Sequence, residues 1–174
     1  MRKPEVGQRE YFVMLAGYHV WAQARLLHSL GPIGDVDYHS DQGLFFRSIH
    51  RTLNHLLLVD LLWQGRLTGK PFPVSGLDQE LVKQRVPLRD ELLGAAEKLR
   101  GLVMQLDDSQ LQAVNAYVDT EGRHREFPRS LQLAHAFNHA THHRGQVTAV
   151  ITRLGHESPV LDMPVFFTQQ LAAP

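Results

Sequence analysis

His139 and His143 stand four residues apart in HAFNHATHHRGQV (135–147), a stretch that holds four of the chain's eleven histidines. On an α-helix that spacing sets two Cβ atoms about 5–6 Å apart on one face. Two imidazoles so placed can bind one metal, each through a bond of about 2.0–2.1 Å. The plainer chemistry is a pair of rings hydrogen-bonded to each other or to water. With about 100° per residue and His139 set at zero, His143 falls at about +40°, Gln146 at about −20° and Val150 at about +20°. The two histidines therefore share a face with apolar residues that point inward. Interior imidazoles need partners, which favours the metal reading.

A third ligand strengthens the case, and His55 is the outstanding candidate. On its own helical segment Leu44, Val59 and Leu62 fall within about 40° of it, so it too faces apolar company. Facing helices of a bundle are a common place to build a metal site. Three neutral imidazoles leave at least one coordination position open, the pattern of a catalytic rather than a structural metal. His135, one turn before His139 at about −40°, is a candidate partner of a ligand. Gln146 lies on the same face and could orient a ligand or substrate, but a neutral amide abstracts no proton. Ala140 stands where H-E-x-x-H proteases carry their glutamate, so this helix supplies no general base. Arg144, at about +140°, points away and is expected in a salt bridge or an interface. His19, His28, His39, His50, His124 and His156 read as scattered polar surface.

These side chains need long helices to hold them. Tyr11, Leu15, Tyr18, Ala22 and Leu26 recur at helical steps, which predicts a first helix over about 6–30. GPIGDVDYHS (31–40) reads as a loop. Ser40 or Asp41 is expected to cap a second helix that reaches about Leu67. From Leu56 to Trp63 that helix is apolar on nearly every side except at Asp60, so it expects neighbours all round. TGKPFPVSG (68–76) is a second loop, Asp78–Arg85 a short helical turn, and a third long helix follows Pro87. The long connection from 68 to 87 lets the second and third helices run parallel. VNAYVDTEGRHREF (114–127) alternates around TEGR and predicts a small hairpin. A fourth long helix runs from Pro128 or Arg129 to Gly155, and VFFTQQL can form a last short one. The sum is a single domain over 1–174, all-α with a minor β-ribbon.

Composition narrows the chemistry further. Lys+Arg and Asp+Glu both number 18, so the formal charge is zero. A balanced chain lacks the basic footprint of a nucleic-acid binder and has no electrostatic reason to sit on an anionic membrane. There is no cysteine, which excludes disulfides, thiolate metal sites, Fe–S clusters and a protein thiol nucleophile. The polar start MRKPEVGQRE carries no secretory pattern, and LLLVDLLW is too short to cross a bilayer. A cytoplasmic protein is expected.

The segment NHATHHRGQV (138–147) resembles the H-x-x-x-H-R-G-Q signature of DinB-like (damage-inducible) metalloproteins, which include YfiT-like metal-dependent hydrolases. LNHLLLVDLLWQGR (53–66) is similar to the family's His-plus-apolar stretch, and AQARLL (22–27) to its first helix. The resemblance implies a four-helix bundle with up-down-down-up connectivity, often a homodimer. It also implies one divalent metal per chain, commonly nickel or zinc, held by His55, His139 and His143, the three that helical geometry selects. Iron or copper would suit the same ligands. It implies a metal-dependent hydrolase acting on a small molecule, or else an S-transferase using a low-molecular-weight thiol. A bundle that binds metal or ligand without catalysis is the competing class.

Overall fold

The computed structural model describes residues 6–172; the first five residues of the polar start lie outside it. Four long helices carry most of the chain: α1 (Gln8–Ser29), α3 (Ile49–Thr68), α4 (Arg85–Met104) and α6 (Arg129–Arg153). Three short helices, α2 (Asp35–His39), α5 (Asp108–Gln112) and α7 (Met163–Ala172), fill the connections and the tail. β1 (Val114–Val118) and β2 (His124–Pro128) form the expected antiparallel hairpin, with Val114 opposite Pro128 and Val118 opposite His124. Its turn is closed at Gly122, whose φ of 78° suits a residue without Cβ.

The long helices follow their apolar periods. Along α1, Phe12, Leu15, Tyr18, Ala22 and Leu26 are buried at three- and four-residue steps. α3 is buried on nearly every side from Ile49 to Gly65, as its sequence demands. α1 packs on α4 and α6, and α3 packs on the same two. Two apolar clusters result. One joins Leu26 and Leu27 of α1, Leu53 and Leu56 of α3, Leu88 and Leu92 of α4, and Val147 and Val150 of α6. The other joins Phe12 and Leu15, Val59 and Trp63, Leu99 and Val103, and Leu133 and Phe137.

Several boundaries differ from the sequence reading. α3 begins at Ile49, not near 40: the Ser48 hydroxyl caps it by accepting from Arg51 N–H at 3.1 Å. Residues 41–48 instead make a tight loop, with a Leu44–Arg47 bridge and Arg47 at φ 70°. α2 stands inside the expected first loop, and α5, held by an Asp107–Gln110 capping box, was not expected at all. Residues 79–83 are irregular rather than helical, and α4 starts at Arg85 with Pro87 in its first turn. That position needs no helical N–H partner, so the ring costs nothing there. Among the described residues no helix is long and apolar enough to cross a membrane.

Candidate metal centre

α3 and α6 meet between the two apolar clusters, and there their histidines converge. His55 and His143 are 2% and 6% exposed, and His139 is half-buried. The Nε2 of His139 lies 3.2 Å from that of His55 and 3.2 Å from that of His143. One nitrogen from each ring falls within 4.8 Å of the others, so the group could hold a metal ion. Bonds of 2.0–2.1 Å in tetrahedral or cis-octahedral geometry separate donor nitrogens by about 3.0–3.4 Å, which brackets the observed spacing.

The far sides of two rings fix what their near sides offer. His55 Nδ1–H donates to the Leu77 carbonyl at 2.8 Å, and His143 Nδ1–H donates to Gln146 Oε1 at 2.8 Å. With Nδ1 protonated, each neutral ring turns a lone pair on Nε2 toward His139. A proton on His139 Nε2 can serve only one of them well, whereas a cation serves all three. His139 Nδ1 is buried with no hydrogen-bond partner among the described residues. Burial holds all three rings neutral. It pushes His139 down to about 3, with repulsion from His143 and His55 adding to it. It pushes His55 down to about 4 against the opposing Leu77 bond, and lowers His143 against the opposing Gln146 bond. The donor set, its spacing and its protonation fit a divalent nitrogen-loving ion.

The supports come from irregular segments as much as from helices. Phe46, from the tight loop, stacks on His55 with ring centroids 3.9 Å apart and lies 5.5 Å from the His143 ring. Asn54 pins the strip that carries the Leu77 carbonyl: its Oδ1 accepts from Leu81 and Val82 N–H, and its Nδ2 donates to the Val82 carbonyl. Gln146 also donates from Nε2 to His142 Nε2 at 3.1 Å, so it orients the His143 ring and is itself oriented. The His135 ring lies 5.7 Å from that of His139, but no hydrogen bond joins them. His142 is exposed beside the site.

Two residues expected at the polar surface are interior. His19 is 2% exposed: it donates from Nε2 to Asp60 Oδ2 at 3.0 Å and accepts on Nδ1 from Arg144 at 3.1 Å. Arg144 faces away from the three histidines as expected, and it is buried, bonded to His19 and Thr141 rather than to a carboxylate. The carboxylate inside the apolar run of α3 was the available signal, since a buried charge needs a partner. His50 is also 2% exposed, against Glu80 at 2.8 Å. Phe46, Leu77 and Asn54 were not foreseen as parts of the site.

A mostly helical protein with a hairpin before its last long helix, enclosing a three-histidine site that could take a metal, is the class these features define. A profile of the DinB family matches residues 8–172, and the chain belongs to that family. It is 24% identical over 166 residues to Protein DinB of Bacillus subtilis (strain 168), an alignment that covers 90% of this chain and 94% of that one. No solved structure matches it.

Proposed function

We propose that the chain binds one divalent metal, nickel or zinc before iron or copper, through His55, His139 and His143, and acts as a metal-dependent hydrolase on a small molecule. The observation that carries this is the convergence of three Nε2 lone pairs, two of them fixed by Leu77 and Gln146 from behind. When bound, such an ion acidifies a coordinated water or thiol and so supplies a nucleophile near neutral pH. The residues contribute three neutral ligands on one side only, a stacked Phe46 that excludes water beside His55, and ring orientations set in advance. Up-down-down-up bundle connectivity belongs to the same reading. Its support is that the C-terminal part of α1, the N-terminal parts of α3 and α4 and the C-terminal part of α6 share one cluster. A homodimer in the cytoplasm completes it, with light scattering as the check on the oligomer.

The second reading, thiol S-transfer, is favoured by the absence of a carboxylate from the three-histidine group. Hydrolysis gains from a base, whereas a metal-bound thiol is deprotonated by the metal itself. Elemental analysis of purified protein tests the shared premise. About one equivalent of divalent metal is expected in the wild type and a large loss in His55→Ala, His139→Ala and His143→Ala. Unchanged metal content in all three overturns the proposal. Incubation of the loaded protein with bacillithiol, mycothiol or glutathione plus monochlorobimane then separates the readings, because only the second predicts metal-dependent conjugation.

A further inference from the structure

Arg66 is a cation in search of an anion. Its guanidinium is half-buried between two aromatic faces, 4.4 Å from the Trp63 ring centroid and 4.3 Å from that of Tyr117. It makes no ion pair or side-chain hydrogen bond with the described residues. Asp119 is near enough to act on it through space but is committed to Arg123 at 3.0 Å and Arg125 at 2.9 Å. Stacking satisfies the faces of a guanidinium and leaves its N–H fork unserved.

Arg66 also stands at the end of a row of rings that begins at the histidine site. His139, His135 and Trp63 form a continuous row of rings, each centroid 5.7 Å from the next, and Arg66 covers the far end of it. On α3, Arg66 follows His55 by about three turns, about 16 Å along the axis and within about 20° of the same face. Its side chain leans back toward the helix N-terminus over Trp63, which brings the guanidinium to roughly 10–15 Å from the His55 ring. A single cation matches a single negative charge, and a planar fork matches a carboxylate. We propose that Arg66 receives a carboxylate of an elongated small substrate whose other end sits at the three histidines. This inference rests on the metal reading and adds the class of substrate: a molecule with a metal-binding head, an apolar middle passing the exposed His135, and an anionic tail.

The probes are suberic acid monohydroxamate and its methyl ester, which share a metal-binding head and a chain of suitable length and differ in the terminal charge. Calorimetric titration of the zinc-loaded protein should show the acid binding roughly tenfold more tightly than the ester. In Arg66→Met, which keeps the apolar stem, the preference for the acid should vanish and the two should bind alike. Arg66→Gln serves the same purpose if the first variant does not fold. A wild type that binds acid and ester equally, or a variant that keeps the preference, overturns the inference. So does zinc-loaded protein that binds neither. Protein that takes up no zinc sinks the metal reading instead, and elemental analysis before each titration tells the two failures apart.

Discussion

Gln146 grips His143 from behind, and His142 grips Gln146 in turn. Removing such an outer hydrogen bond frees the ligand ring to rotate and to change tautomer, which typically costs about 10–100-fold in metal affinity. Gln146→Ala should therefore weaken zinc binding by about that factor in a chelator competition, with little change in the folding of the metal-free chain. Equal zinc affinity in wild type and variant would show that packing alone aims the ring. His135 supplies the contrast. It has no hydrogen bond to His139, so His135→Ala should move zinc affinity far less than Gln146→Ala does in the same assay.

Among the elements, the irregular strip before α4 matters as much as the helices, because it delivers the Leu77 carbonyl to His55 and hangs from Asn54 by three hydrogen bonds. Asn54→Ala leaves partly buried backbone groups unpaired, at about 1–3 kcal/mol for each one that water cannot reach. It should lower the melting temperature and weaken zinc binding together, whereas a purely structural strip would lower only the first. The sequence made the helices legible for a physical reason: a helix that buries one face repeats its apolar residues every three or four positions, and His55, His139 and His143 could be placed on such faces. Loops carry no period. Ser40, Asp41 and Ser48 all have capping chemistry, and nothing local said that Gly43 and Arg47 at positive φ would delay α3 until Ser48. Phe46 and Leu77 were illegible for the same cause, since each reaches the site from a segment whose path is set by tertiary contacts. Asp60 was visible as an anomaly, but its partner His19, and Arg144 beyond that ring, lie on two other helices.

Across the whole molecule, buried polar groups tie the helices together, and the three-histidine site makes the fold sensitive to pH. Asp60, His19 and Arg144 link α3, α1 and α6 in one buried chain of hydrogen bonds. Asp60→Ala would leave the buried His19 Nε2–H without its acceptor at a cost of about 1–3 kcal/mol, enough to be read in a urea titration. The histidine site acts in a graded way. His55 takes up its proton near its ordinary value of about 6.5 when unfolded, but only at about 4 when folded. Between those two values the unfolded state binds more protons, so stability falls as pH falls, by about 3 kcal/mol for His55 alone, and levels off below the lower value. The His55 share alone should thus lower the melting temperature of the metal-free chain by about 5–10 °C between pH 7 and pH 4.5, His139 and His143 act in the same direction, and His55→Ala should remove its share of the slope. Bound metal sharpens the same dependence, because protons compete for the nitrogens it needs. Zinc at a hundredfold excess over its dissociation constant adds about 2.7 kcal/mol at neutral pH. That increment should shrink steadily on acidification in calorimetric scans, and a zinc effect independent of pH would mean that the ion is held by something other than these three imidazoles.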